Sequence, residues 1–132
     1  MTDGIFPSIK SVPVEQLIPY ARNARTHSDE QIAQIAASIR EFGWTNPLLV
    51  DGERGIIAGH GRLAAARKLG MVEVPVIELQ HLTEAKKRAY LIADNQIPQN
   101  SAWDFDIMKD EIHALRGMGI DSSVLGFSED AL

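Results

Sequence analysis

The chain has 132 residues, of which 45% are hydrophobic, and a formal net charge of −5; these values are typical of one globular domain and argue against disorder. It contains no cysteine, which excludes thiol catalysis, disulfides, and zinc or iron–sulfur sites with cysteine ligands. No apolar run reaches the roughly 20 residues of a membrane span, and the first residues lack the pattern of a signal peptide. We therefore expect a cytoplasmic protein with no membrane partner.

The charge is distributed unevenly along the chain. Residues 1–102 carry 11 Lys/Arg and 11 Asp/Glu, whereas residues 103–132 carry 2 and 7, so the last segment contributes 2 − 7 = −5. We therefore predict a neutral domain over 1–102, with an acidic C-terminal helix and tail over 103–132 packed on it. The neutral body can still bind a polyanion, but the acidic tail is expected to avoid DNA.

In the first half of the chain, alternating residues predict a strand within 9–17, and a polar loop follows over 20–27. Ser28 with Gln31 forms a capping-box pair, which predicts the start of a helix that Gly43 ends. A strand, a turn and a hairpin partner are then predicted, in chain order at 47–50, 51–55 and 55–58.

The second half begins with a predicted helix over 62–69 and a strand over 72–79, in which Pro75 favours a sheet edge or a bulge. Thr83 is expected to cap a helix that runs to about residue 94. Its predicted apolar face consists of Ala85, Ala89 and Ile92.

A last helix is predicted to open at Trp103-Asp104 and to end at Gly117 and Gly119. Its expected apolar stripe consists of Phe105, Met108, Ile112 and Leu115. Residues 125–127 are expected to fold back, and residues 128–132 to form a disordered end. Trp44 and Trp103 are interpreted as core or interface residues.

The most informative stretch is Gly59-His60-Gly61-Arg62, which joins a predicted strand to a predicted helix. A helix N-terminus offers free backbone N–H groups to an anion, while Arg62 adds a forked donor and His60 a titratable ring. The pattern therefore indicates phosphate binding. The alternative is a plain strand–helix junction in which the glycines only relieve steric conflict and His60 is structural.

Three further groups are candidates, each with a simpler alternative. Asp94-Asn95 could hold Mg²⁺ beside a phosphate, or Asn95 could be a left-handed helix cap. The loop arginines Arg22 and Arg25 could clamp phosphate or be solvated. A basic run could contact the DNA backbone or be a solvated helix face; it consists of Lys86, Lys87 and Arg88. The four histidines have no metal-ligand spacing, and the chain has neither a P-loop nor a dinucleotide fingerprint.

Taken together, these segments resemble the N-terminal domain of the ParB family, which has the ParB/sulfiredoxin-like fold. The resemblance covers roughly residues 9–99. It is carried by the loop arginines and by residues 35–43, 46–50, 57–66, 74–77 and 93–95. The fold implied is α/β (α+β), a small mixed β-sheet flanked by helices, here with an extra C-terminal helix.

The order of a second set of segments is similar to the ParB-like domain that precedes phage and prophage DNA methyltransferases. These segments are 19–28, 58–62, 93–95, 103–104 and 125–127. The resemblance implies a downstream methyltransferase domain, although this chain has no glycine-rich cofactor loop and no Asp-Pro-Pro-Tyr-like motif. DNA is the implied partner, and a homodimer is possible.

The chain departs from the family pattern at three positions. Partition proteins have Gly-Glu-Arg-Arg in the glycine–arginine box, so Gly61 stands where a phosphate-clamping arginine is expected. Pro98 stands at another arginine position. Sulfiredoxins have their catalytic cysteine at the position of His60, which excludes sulfinic-acid repair.

The resemblance implies an accessory module that binds nucleotide phosphate or DNA backbone and serves DNA modification or partition. Its phosphate ligands would be Gly59, His60, Gly61, Arg62, Arg22 and Arg25, with a nucleoside triphosphate and Mg²⁺ as cofactors. Two alternatives stay open. One is a nucleotide hydrolase or small kinase, with His60 or Asp94 as its catalytic base; the other is a protein-interaction or dimerisation module.

Overall fold

The computed structural model describes residues 7–127, which form a four-stranded mixed sheet flanked by helices, as predicted. The strands are β1 (Ile9–Pro13), β2 (Leu48–Val50), β3 (Ile56–Ala58) and β4 (Glu73–Glu78). The helices are α1 (Asp29–Phe42), α2 (His60–Lys68), α3 (Glu84–Gln96) and α4 (Phe105–Gly117). No helix within 7–127 is long and apolar enough to cross a membrane.

The sheet order is β1-β4-β2-β3, and only the β2–β4 pair is parallel. The core lies between this sheet and the helices, and α1 packs on α2. The largest fully buried side chains come from three strands and α2: Val12, Leu48, Val50, Leu63, Val74 and Val76. These residues fix the start of α2 against the end of β3, which is where the glycine-rich corner lies.

The position predicted for Pro75, a sheet edge or a bulge, is wrong, because β4 is an interior strand. Pro75 pairs with Ser11 of β1, but the ladder between β4 and β2 begins one residue later, at Val76. The missing N–H therefore falls beyond the end of one ladder, where a proline is tolerated.

The predicted helix starts are confirmed by their capping bonds. The side-chain oxygens of Ser28, Thr83 and Asp104 each accept a hydrogen bond from the backbone N–H three residues later. The second half of the capping box is not formed, since the Gln31 amide oxygen instead lies 2.8 Å from Nδ1 of His27. Helix α2 begins at His60, two residues before the predicted start.

The apolar face predicted for α3 is wrong. Ala85 and Ala89 are exposed, and Ile92 is 62% exposed. The inward face instead carries Lys87, Leu91 and Asn95, of which only Leu91 is both apolar and buried. Periodicity missed this face because two of its three positions are polar.

The stripe predicted for α4 is confirmed at Ile112, which is buried, but Phe105 is 66% exposed. The Phe127 ring lies 5.6 Å from the Trp103 ring, so the chain folds back as predicted. The 3-10 turn Ser122–Leu125 contacts both α4 and α1. The prediction for residues 128–132 lies outside the described residues.

Asp51 ties the β2–β3 turn to α3. Its Oδ1 accepts hydrogen bonds from the N–H groups of Glu53 and Gly55 at 2.8 and 2.9 Å, and its Oδ2 accepts one from Nζ of Lys87 at 3.1 Å. Burial raises the pKa of Asp51, but these hydrogen bonds outweigh burial and hold the pKa below its ordinary value of 3.8.

We expect Asp51→Ala to lower the free energy of unfolding by about 1–3 kcal/mol at pH 7. Because the pKa is depressed in the folded state, this stabilisation is present above pH 3.8 and is lost as the pH falls below it. Urea unfolding at pH 7 and pH 3 measures both effects, with exposed Asp110→Ala on α4 as control. An equal loss for the two variants at pH 7 would contradict the role of Asp51.

Candidate functional site

A cavity of about 280 Å³ opens where four parts of the chain meet. These parts are the loop that carries Asn23 and Arg25, the second half of α1 with the segment that follows it, the first turn of α2, and the last turns of α3. The cavity therefore brings together Arg25, the glycine-rich corner and the Asp94-Asn95 pair, which the sequence predicted as parts of one site.

Gly59 makes the corner possible. Its φ is +104° and its ψ is 22°, a left-handed conformation that favours glycine. The first helical bond of α2 runs from the N–H of Leu63 to the carbonyl of Gly59 at 2.9 Å. The N–H groups of residues 60–62 therefore precede the helical ladder and are available to an anion.

Arg62 is held at the cavity wall with part of its donor capacity unused. Its Nη2 donates to the carbonyl of Pro47 at 3.2 Å, while its buried Nε has no acceptor among residues 7–127. Burial lowers the pKa of Arg62, and the Asp94 carboxylate partly offsets this effect. The guanidinium is still charged at neutral pH, because arginine titrates far above it.

Trp44 also lines the cavity. Its buried Nε1 likewise has no hydrogen-bond partner within the described part of the chain. Unpaired buried donors are rare in proteins and usually indicate a water molecule or a ligand. Both donors belong to residues of the cavity wall, but the atoms themselves are shielded from solvent.

The two candidate loop arginines differ in position. Arg25 is half-buried and lines the cavity, whereas Arg22 is exposed and lies outside it. The Arg25 N–H donates to Oδ1 of Asn23 at 3.1 Å, which fixes the local turn. None of the ion pairs found among residues 7–127 includes Arg25 or Arg62.

His60 is half-buried, and its imidazole ring is neutral. Its Nε2 accepts a hydrogen bond from the Tyr20 N–H at 3.0 Å, so the ring proton is on Nδ1. Burial lowers the pKa of His60 below its ordinary value of 6.5, and the nearby His27 lowers it further. The nitrogen that would serve as a base is therefore already occupied.

The lowered pKa of His60 predicts an acid-sensitive contribution to stability. Below pH 6.5 the unfolded chain takes up a proton that the folded chain resists, so stability falls as the pH falls. His60→Gln is expected to reduce this slope by up to about 1.4 kcal/mol per pH unit. Urea unfolding between pH 7.5 and 5.5 measures the slope, with exposed His81→Gln as control; an unchanged slope in His60→Gln would contradict the assignment.

Asp94 and Asn95 both line the cavity, but the expected left-handed cap at Asn95 is not found, because α3 continues to Gln96. Nδ2 of Asn95 donates to the Leu91 carbonyl at 2.7 Å, and Oδ1 of Asp94 accepts from the Tyr90 hydroxyl at 3.3 Å. No group of three His, Cys, Asp or Glu suited to a metal occurs within residues 7–127. Asp94 and Asn95 alone supply too few oxygen ligands for Mg²⁺. They fit the ion only if bound phosphates supply further ligands.

The basic run on α3 lies outside the cavity. Lys87 pairs with Asp51 and with Glu84 at 3.1 and 3.0 Å, and Arg88 pairs with Glu84 at 3.4 Å. Much of its charge is therefore already neutralised by neighbouring carboxylates.

Sequence reasoning missed His27 and the role of Trp44 at this cavity. His27 was included only in a polar loop, yet its ring lies against Gly61. Gly61 at the start of a run of helix formers was the available signal, since a glycine in a helical pattern often has a packing reason.

Comparisons with known proteins show the family and the fold. The profile of the ParB N-terminal domain matches residues 5–95. The ParB-like nuclease domain-containing protein YnaK of Escherichia coli K12 is 58% identical over 76 residues, which is 58% of this chain and 87% of YnaK. A probable chromosome 2-partitioning protein ParB of Deinococcus radiodurans is 38% identical over 92 residues. That alignment covers 67% of this chain and 31% of the partitioning protein.

A nucleoid occlusion protein of Geobacillus thermodenitrificans is 34% identical over 66% of this chain and 32% of its own length. The chain thus spans about a third of these two longer relatives.

Solved structures show the same fold. A C-terminally truncated ParB from Caulobacter crescentus complexed with CTP-γ-S superposes with a TM-score of 0.74 at 23% identity, over 94% of this chain and 74% of that protein. Sulfiredoxin from Arabidopsis thaliana superposes with a TM-score of 0.54 at 24% identity, over 64% of this chain and 98% of the sulfiredoxin. The chain belongs to the ParB N-terminal domain family and is related to chromosome-partitioning and nucleoid occlusion proteins.

Proposed function

We propose that this domain binds a nucleoside triphosphate through its phosphates, in a protein that acts on DNA. The observation that carries the proposal is the donor surplus of the cavity. Arg25 and Arg62 line it without an ion pair among the described residues, and the N–H groups of residues 60–62 precede the first helical hydrogen bond of α2. Among residues 7–127, Asp94 is the only acidic residue that lines it, so the occupant is expected to be an anion.

Each candidate residue then has a specific role. The N–H groups of residues 60–62 would donate to one phosphate, Gly59 would provide the left-handed turn that exposes them, and the Arg62 side chain would donate to the phosphate oxygens. Arg25 would contact the phosphates from the loop side. Arg22 is exposed outside the cavity and is a candidate only for longer-range attraction.

Mg²⁺ would be held between the phosphates and α3. The Asp94 carboxylate supplies one oxygen ligand, and Oδ1 of Asn95 is the second candidate, because Nδ2 of that amide already donates to the Leu91 carbonyl. A bound Mg²⁺ would neutralise phosphate charge beside Asp94, which otherwise repels the ligand.

Relatives support the choice of ligand and partner. The Caulobacter structure that superposes over 94% of this chain is a complex with CTP-γ-S, so CTP is the first nucleotide to test. Another structure of that protein, with a TM-score of 0.55 at 26% identity, is complexed to the centromeric parS site. DNA contact by this chain is proposed on that basis, with exposed Lys86 and partly paired Arg88 as backbone candidates.

A thermal-shift screen tests the proposal. We expect CTP or another nucleoside triphosphate with Mg²⁺ to raise the Tm, since a ligand at 100 times its Kd stabilises by about 2.7 kcal/mol. Arg25→Ala should remove the shift, and the matched control Arg22→Ala should keep it. No shift in Tm with any of ATP, CTP, GTP and UTP, with or without Mg²⁺, would overturn the proposal.

Hydrolysis or phosphoryl transfer has less support, because Nε2 of His60 accepts the Tyr20 N–H. Asp94 is then the remaining base candidate. Phosphate release from CTP or ATP that is abolished by Asp94→Asn, while binding persists, would support an enzyme. No release at saturating nucleotide would leave binding as the function.

A second candidate function is assembly with another copy of the chain. Several apolar side chains near the end of α3 and on α4 are 62–66% exposed: Ile92, Ile97, Phe105 and Ile107. Large exposed apolar patches are typical of interaction surfaces, and these side chains are candidates for one. Light scattering of the wild type and of Ile97→Glu/Ile107→Glu tests for a dimer, with Val72→Glu, also at an exposed apolar residue, as control.

Association with a DNA methyltransferase is also proposed, and it is supported by the order of segments shared with ParB-like domains that precede such enzymes. Translating the reading frame beyond Leu132 tests it directly. A methyltransferase sequence there would support the association, and an unrelated sequence would contradict it.

A further inference from the structure

Gly61 has no room for a side chain. A Cβ at this buried helical position would lie 2.9 Å from Cε1 and 3.1 Å from Nδ1 of His27, and 2.9 Å from Cδ1 of Ile35. Real Cβ atoms essentially never approach other heavy atoms to less than 3.0 Å. The imidazole of His27 therefore occupies the space into which a residue-61 side chain would project.

The His27 ring is oriented from α1. Its Nδ1 lies 2.8 Å from Oε1 of Gln31, and the amide oxygen facing it makes Nδ1 the donor. This contact leaves Nε2 as the ring nitrogen with no hydrogen-bond partner recorded among residues 7–127. His27 is half-buried and lines the cavity, so the ring is held in place with one nitrogen uncommitted.

The other charged or titratable groups that line this cavity come from three parts of the chain: Arg25 from the loop, His60 and Arg62 from α2, and Asp94 from α3. His60 is committed to the Tyr20 N–H. No ion pair within the described residues includes His27. No cavity-lining residue within 7–127 therefore pairs with Nε2 of His27.

We propose that His27 is a phosphate-contacting residue of this site and replaces, from the neighbouring loop, the side chain that Gly61 lacks. This inference rests on the proposed nucleotide binding and adds a property to it. Because Nδ1 already donates to Gln31, Nε2 can donate to a phosphate oxygen only when both ring nitrogens carry protons. The site should therefore bind its ligand more tightly at pH 6 than a site made only of arginines would.

Calorimetry with CTP and Mg²⁺ at pH 6 and pH 8 tests the proposal. We expect His27→Gln to weaken binding about tenfold at pH 6 and about twofold or less at pH 8, where histidine is neutral. His81→Gln, at an exposed histidine outside the cavity, should match the wild type at both values. The titration of the nucleotide itself is common to all three proteins and cancels in the comparison.

Moving the positive charge from position 27 to position 61 gives a second test of the proposal. Gly61→Arg alone should lower the Tm and weaken binding, because the new side chain collides with His27. His27→Ala/Gly61→Arg removes the ring, and of the three nearest contacts only the flexible tip of Ile35 remains. The double variant should regain binding to within about threefold of the wild type, with little difference between pH 6 and 8.

The outcomes separate this inference from the function on which it rests. If the wild type binds no nucleotide at either pH, the proposed function fails. If the wild type binds and Arg25→Ala does not, but His27→Gln binds like the wild type at pH 6, the nucleotide site stands and the role of His27 is overturned.

Discussion

Gly59→Ala is expected to lower the free energy of unfolding by about 3–4 kcal/mol and to abolish nucleotide binding. The residue adopts a φ of +104°, and its new Cβ would collide with Cδ2 of Leu48 and lie 3.0 Å from Nη2 of Arg62. Leu48 is fully buried, so it cannot swing away. The backbone must move, and it carries both the free N–H groups and Arg62 with it.

Gly70→Ala is the matched control for this prediction. Gly70 also has a left-handed φ, +72°, but no atom lies within 4 Å of the position of its Cβ. Gly70→Ala should therefore lower the free energy of unfolding by only about 1 kcal/mol, the cost of placing a residue with a side chain in the left-handed conformation. Urea unfolding compares the two variants, and equal losses would mean that the contact with Leu48 does not constrain the corner.

Arg62→Met is expected to weaken nucleotide binding at least 100-fold while it changes the free energy of unfolding by about 1 kcal/mol or less. The two effects differ because the guanidinium forms one hydrogen bond within the fold, to Pro47. Its Nε is buried without an acceptor, so a loss of packing is partly offset by the removal of an unsatisfied donor.

Calorimetry and urea unfolding on the same preparations measure both quantities, and Arg22→Met serves as the exposed control. Arg62→Lys retains the charge but not the forked geometry. Its affinity for the nucleotide is expected to lie between that of Arg62→Met and that of the wild type. Unchanged binding in Arg62→Met would contradict the assignment of the phosphate site. A large loss of stability with unchanged binding would make Arg62 a structural residue.

Local signals in the sequence predicted most of the fold. Ser28, Thr83 and Asp104 start helices through bonds to N–H groups three residues away, and such contacts are encoded within one turn. The inward face of α3 was missed because Lys87 is directed inward by Asp51, 36 residues earlier. Pro75 was assigned to an edge because the sequence does not reveal where the ladder of a neighbouring strand begins.

The candidate site was predictable only in part, for the same physical reason. A glycine-rich strand–helix junction is a local pattern, so the corner and Arg62 could be identified from sequence. His27 contacts Gly61 across 34 positions of the chain, and Trp44 reaches the cavity only through packing on the core. The difference between Arg22 and Arg25 likewise depends on which side of one short turn faces the cavity.

The bond from Arg62 to the Pro47 carbonyl has a thermodynamic consequence for any ligand. Guanidinium has five N–H donors, and the fold uses one of them to fix the side chain against the start of β2. The rotameric entropy of Arg62 is therefore lost when the protein folds, and little remains to be lost when phosphate arrives. Preorganisation of this kind predicts that the hydrogen bond to Pro47 increases the affinity for phosphate, although Pro47 does not contact the ligand.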